Sequence, residues 1–195
     1  MGSIYSKFFS TNYKVIMFGL NASGKTSILH YLKNKTGDYT YDRNFESNFR
    51  FFPYLAPVLN YKGLSVIEID IGDWPGVKHV REEELRNKLN QAFKDTKGII
   101  FVIDSYYIDG LEDHFFFDDF DYILSHEDLK HLPILFLANK QDLDKALSKE
   151  EVIKKIGIEK LKEKIWFAVG TSVETGEGIE KGFDWMISII KQLNG

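Results

Sequence analysis

Residues 19–26 read Gly19-Leu20-Asn21-Ala22-Ser23-Gly24-Lys25-Thr26, a Gly-x-x-x-x-Gly-Lys-Thr run placed directly after the apolar stretch Val15-Ile16-Met17-Phe18. Glycines at this spacing let the backbone approach phosphates closely and turn several N–H groups toward them. The segment that follows, 26–33, carries Ile28, Leu29 and Leu32 at helical spacing. Strand, loop and helix therefore succeed one another, and the helix adds its positive N-terminal end. In such a loop Lys25 is expected to reach the outer phosphates and the Thr26 hydroxyl to ligate Mg²⁺. Asn21, Ala22, Ser23, Gly24 and Ser27 complete the expected cradle.

A second apolar run, 134–138, delivers Asn139-Lys140-Gln141-Asp142. A carboxylate at Asp142 can accept from both donors on the edge of guanine, whereas adenine presents a mismatched edge. Asn139 and the stem of Lys140 are expected to support the neighbouring loops and the ring face. A third loop, Thr171-Ser172-Val173-Glu174, follows the apolar run 165–169, and Ser172 and Val173 could press backbone against the base. The expected ligand is GTP or GDP, with Mg²⁺.

Apolar runs recur at 14–18, 64–69, 98–103, 133–138 and 165–169, with helically spaced segments between them. That alternation predicts an α/β fold: a mostly parallel six-stranded sheet flanked by helices. Residues 99–103 and 134–137 are almost wholly apolar, as strands buried on both faces should be. Ser148-x-x-Glu151 is a capping-box helix start, and Gly157 closes that helix. A last helix carries Ile179, Phe183, Met186, Ile187 and Ile190 on one stripe. Phe116, Phe120, Ile123 and Leu124 share another apolar face; Phe115 and Phe117 cannot both join it, which leaves room for an aromatic contact site. All three ligand loops then fall at carboxyl ends of strands, where such sheets bind ligands. With no repeat or linker, residues 13–195 are read as one domain behind an amphipathic segment, 1–12.

Composition narrows the function classes. A length of 195 residues with 44% apolar and 15% aromatic content is ample for one core. The net charge of −4 argues against a general nucleic-acid binder, which leans on excess positive charge. With no cysteine there is neither a disulfide nor a thiolate metal site, in keeping with a cytoplasmic compartment. His30, His79, His114, His126 and His131 lack metal-ligand spacing. No run is long and apolar enough to cross a bilayer, so membrane contact would be peripheral.

The chain resembles an Arf or Arf-like small GTPase over nearly its whole length. The residues that carry the likeness are the 19–26 run, Ile99-Ile100-Phe101-Val102-Ile103-Asp104-Ser105, Asn139-Lys140-Gln141-Asp142-Leu143, Thr175-Gly176-Glu177-Gly178-Ile179 and Gly182-Phe183-Asp184-Trp185. Met1-Gly2-x-x-x-Ser6 is similar to an N-myristoylation signal, with Gly2 the acylated residue. Ile4, Tyr5, Phe8 and Phe9 follow on one helical face, and one acyl chain needs such a second signal for stable anchoring. Lys7 and Lys14 add positive charge to this segment.

The resemblance implies Asp70 on the Mg²⁺ side, behind the metal's own ligands, and Gly72 at the nucleotide. It also exposes departures. Where the family has Asp-x-Gly-Gly-Gln this chain has Asp70-Ile71-Gly72-Asp73-Trp74. The glycine whose N–H contacts the γ-phosphate is replaced by Asp73, and the glutamine that orients the attacking water by Trp74. An indole has one N–H donor and no acceptor. The threonine that completes the Mg²⁺ shell is also missing, because Arg50-Phe51-Phe52-Pro53 stands in its place; only Thr36 and Thr40 lie upstream. Segments 37–52 and 77–94 are longer than the family usually needs, the latter an expected extended helix.

Two functions follow from this pattern. One is a regulatory switch that recruits protein effectors in intracellular trafficking, with slow or absent GTP hydrolysis. The other is a non-cycling module, stabilised by guanine nucleotide, within a larger assembly. A phosphate-transferring kinase is a poorer reading, since it leaves Asn139-Lys140-x-Asp142 unexplained.

Overall fold

In the computed structural model, which describes residues 12–36, 59–71, 83–107 and 114–195, the five apolar runs become β1 (Tyr13–Gly19), β3 (Leu64–Asp70), β4 (Gly98–Asp104), β5 (Ile134–Asn139) and β6 (Trp166–Gly170). A sixth, β2 (Leu59–Tyr61), forms a hairpin with β3 through the two-residue turn Lys62-Gly63. The sheet order is β2-β3-β1-β4-β5-β6, with β2 antiparallel to β3 and the other pairs parallel. The expected six-stranded, mostly parallel sheet is the one observed.

Helices cover both faces because successive strand residues point to opposite sides. On one face Ile16, Phe18, Ile99, Phe101 and Phe136 pack against α2 (Glu83–Phe93), α3 (His114–Ser125) and α4 (Lys149–Ile156). On the other, Val15, Met17, Ile100, Val102 and Leu137 pack against α1 (Lys25–Thr36) and α5 (Ile179–Asn194). The α5 stripe Ile179, Phe183, Met186, Ile187 and Ile190 is buried, as are Phe116, Phe120, Ile123 and Leu124 of α3.

Phe117 joins this core rather than a separate contact site. It is half-buried and meets Phe116 edge-on, ring centroids 5.4 Å apart. The side chain of Phe115 lies outside the described residues. The capping box is present: Ser148 Oγ accepts from the Glu151 N–H at 3.3 Å and Glu151 Oε2 from the Ser148 N–H at 2.8 Å. Gly157 ends that helix with φ +70°, a left-handed conformation that glycine adopts without strain.

Lys14 departs from the sequence reading. Its ammonium donates to the carbonyls of Lys94 at 2.7 Å and Gln91 at 3.4 Å, at the carboxyl end of α2. Those carbonyls lack partners within their own helix, so a cation there is favourable. Burial pushes the Lys14 amine below its ordinary value, and Asp95 offsets part of that. Among the described residues no helix is long and apolar enough to cross a membrane.

Candidate nucleotide site

The ends of β1, β3, β4, β5 and β6 put Gly19, Asp70, Asp104, Asn139 and Gly170 along one edge of the sheet. Register aligns them: Gly19 lies opposite Asp70, and Asp104 opposite Asn139. The chain leaves β1 toward one side and later crosses to β4 on the other, which makes this edge the reversal point where open sheets bind ligands.

The phosphate-loop run makes a tight turn onto α1, with the Ser23 N–H donating to the Leu20 carbonyl at 3.2 Å and the Ile28 N–H to the Gly24 carbonyl at 2.9 Å. Ala22 has φ +60° and Gly24 φ +100°. At Gly24 only glycine serves, because a Cβ there would lie 2.2 Å from Asn139 Nδ2. Lys25 is 2% exposed although charged. Its ammonium donates to the carbonyls of Leu20 at 2.8 Å and Gly19 at 3.1 Å, and pairs with Asp70 Oδ1 at 2.5 Å. The cation expected to face phosphate and the carboxylate expected on the metal side are therefore in direct contact.

Thr26 Oγ1 donates to Glu68 Oε1 at 2.7 Å. Burial pushes the Glu68 carboxyl above the ordinary carboxylate range, and the Thr26 hydroxyl and Lys25 charge pull it partly back. The side chain of Thr36 lies outside the described residues. Its backbone ends α1, eleven residues beyond Lys25, and at ~1.5 Å rise per residue that is about 16 Å away. Thr40 lies outside the described residues, as do Gly72, Asp73, Trp74 and Gly2.

Asn139 links the loops. It is 2% exposed, donates from Nδ2 to the Ser23 carbonyl at 2.9 Å and accepts at Oδ1 from the Thr171 hydroxyl at 3.1 Å. One side chain thus joins the first, second and third ligand loops. Lys140, at φ +68°, pairs with Asp104 Oδ2 at 2.5 Å, while Asp104 Oδ1 accepts from the Tyr106 N–H at 2.9 Å. Asp142 is exposed at the rim. Ser172 is buried, its Oγ accepting from the Thr175 N–H at 3.2 Å.

Between these loops lies a cleft of about 190 Å³ whose walls include Gly24, Ser27, Asn139, Lys140, Asp142 and Val173. A second, of about 410 Å³, adjoins it through Ser27 and Val173 and extends past Thr26, His30 and Tyr31. The two together are of the size usual for small-molecule sites, about 300–1,000 Å³. Sequence reasoning had assigned no role to Asp104, Glu68 or Thr171. The signal for Glu68 was visible, as a charge within the largely apolar run 64–69.

A mostly parallel sheet with this loop set at its carboxyl edge defines a phosphate-loop protein of the small-GTPase fold. The Arl6 BBS3 small GTPase of Trypanosoma brucei, solved with the nucleotide analogue GppNp, has a similar structure: TM-score 0.67 at 20% identity, covering 93% of this chain and 99% of that one. The model of the ADP-ribosylation factor family matches residues 1–190. The chain belongs to that family and is an Arf-like GTP-binding protein.

Proposed function

We propose that the cleft between Gly24, Asn139, Asp142 and Val173 holds the guanine base of GTP or GDP, and that Lys25 and the 21–24 loop hold its phosphates. The observation that carries this reading is Asn139, whose two buried hydrogen bonds bind the phosphate loop to the third loop around that cleft. Asp142 at its rim supplies the carboxylate for the guanine edge, Ser172 and Val173 supply backbone, and Gly72 comes from the stretch after β3.

The donor set suits Mg²⁺. Among the described residues no three His, Cys, Asp or Glu gather into a protein-only metal cage. Thr26 and Asp70 offer hard oxygens, the kind Mg²⁺ takes alongside phosphate oxygens and water. When bound, Mg²⁺ would neutralise charge on the phosphates; Thr26 would ligate it and Asp70 would hold its waters.

Asp142→Asn removes the carboxylate acceptor, and a charge-assisted bond is worth about 1.5–3 kcal/mol. GDP and GTP should therefore bind roughly 10- to 150-fold more weakly while ATP binding stays where it was. Competition binding with the three nucleotides measures this, and equal ATP and GTP affinity in the unmodified protein would overturn the guanine assignment.

The chain is further proposed to be a cytoplasmic, slowly hydrolysing switch that recruits protein effectors in intracellular trafficking. Residues 1–12, acylated at Gly2, would hold it peripherally at a membrane. Gly2→Ala should move the protein from the membrane fraction to the soluble one; an unchanged fractionation refutes the anchor. The substitutions at Asp73 and Trp74 favour a second reading, a scaffold that keeps its nucleotide in a larger assembly. Nucleotide extracted from purified protein, and its exchange against labelled GTP, separates the two: a scaffold neither exchanges nor turns over.

A further inference from the structure

The metal side of the phosphate loop carries one acid more than its motifs require. Glu68 lies on β3 two residues before Asp70, so strand alternation turns both carboxylates to the face that α1 covers. Its side chain is only 5% exposed. Oε1 accepts from Thr26 Oγ1 at 2.7 Å, while Oε2 is buried and has no hydrogen-bond partner among the described residues. Lys25 is not that partner, since its ammonium is taken by Asp70 and by the carbonyls of Gly19 and Leu20. A buried carboxylate oxygen without a donor is costly, and a valine would fill the same strand position without that cost.

We propose that Glu68 is a positioning residue of the Mg²⁺ site, with Oε1 orienting the Thr26 hydroxyl and Oε2 accepting from a metal-bound water. The inference rests on the nucleotide reading above and extends it. A hydroxyl has one hydrogen and two lone pairs. With its hydrogen committed to a carboxylate, Thr26 Oγ1 is left with lone pairs alone, which is what a metal ligand needs. A carboxylate behind a ligand also makes that ligand more basic. Mg²⁺ usually keeps several waters in its shell beside phosphate and protein oxygens. Each such water brings hydrogens that need acceptors, and Glu68 Oε2 is a buried acceptor with no donor of its own.

The test is the Mg²⁺ dependence of fluorescent GDP release from the full-length protein and from its Glu68→Gln and Glu68→Val variants, read beside their melting temperatures. Release from the unmodified protein should slow as Mg²⁺ rises through a midpoint. In both variants that midpoint should move about tenfold or more to higher Mg²⁺, as loss of an outer-shell partner does. The valine variant should also melt higher without metal, because an apolar side chain replaces a buried acid. Midpoints equal to that of the unmodified protein overturn the role of Glu68 and leave the nucleotide reading standing. An unmodified protein that does not retain GDP, or retains it irrespective of Mg²⁺, overturns both.

Discussion

Asn139→Ala should cost the protein about 2–4 kcal/mol of stability and lower its affinity for GDP by roughly two orders of magnitude. The substitution strips the Ser23 carbonyl and the Thr171 hydroxyl of their shared partner. Both residues are buried. A buried polar group left unsatisfied costs about 1–3 kcal/mol, and the Thr171 hydroxyl can recover part of this by rotating. Against a total stability of about 5–15 kcal/mol that is a large fraction. Affinity falls further than a single lost contact would suggest, because Asn139 does not hold one group; it fixes two loops that must converge on the same ligand.

Asn139→Asp should be at least as harmful, since it keeps an acceptor for Thr171 but sets a carboxylate against the Ser23 carbonyl. Urea unfolding and fluorescent GDP titration measure the two effects. A variant within a factor of two of the unmodified protein in GDP affinity, with unchanged unfolding free energy, would show that the loops converge without this link. Gly24 is coupled to the same site: a Cβ on it would meet Asn139 Nδ2 at 2.2 Å. Gly24→Ala should therefore be less damaging in the Asn139→Ala background than alone, although φ +100° keeps some strain in both.

The sheet was legible because its strands are covered on both sides and so appear as continuous apolar runs. Each of the five runs stops one residue short of the observed strand, before Gly19, Asp70, Asp104, Asn139 and Gly170. The shortfall has a cause. The strand carries hydrophobic residues where helices cover it and changes character where it reaches the ligand edge, so a reading based on apolarity ends where the site begins. Strand β2 is only three residues long, too short for a periodic signal.

The site was legible as motifs and not as contacts. The phosphate-loop and Asn139-Lys140-x-Asp142 patterns named their residues, but nothing local in the sequence joins Asn139 to Ser23 across 116 residues. Lys14 shows the same limit from the other side. From sequence it counts only as a charge beside the expected amphipathic segment; in the fold it also closes the end of α2, 80 residues away.

Single-turnover GTP hydrolysis should proceed at or below the roughly 10⁻⁴ s⁻¹ scale of unassisted small GTPases. Phosphoryl transfer gives a protein little covalent work; rate comes from positioning the water and stabilising charge on the phosphoryl oxygens. Lys25, Thr26 and Asp70 stand at the loop edge, and on the proposed nucleotide reading they would serve binding and charge. The positioning elements are the ones the sequence has exchanged. By the family resemblance Trp74 takes the glutamine position, and an indole has no acceptor for a water hydrogen. By the family resemblance Asp73 takes the glycine position; a carboxylate near a triphosphate is repelled unless a cation intervenes, so GDP should be preferred over GTP. Asp73→Gly combined with Trp74→Gln should therefore raise the rate about tenfold or more, yet short of full recovery, because the 50–53 stretch still lacks its threonine. A rate in the unmodified protein far above 10⁻⁴ s⁻¹ would mean that another side chain orients the water, and the alignment of Asp73 and Trp74 with the family's catalytic pair would then be wrong.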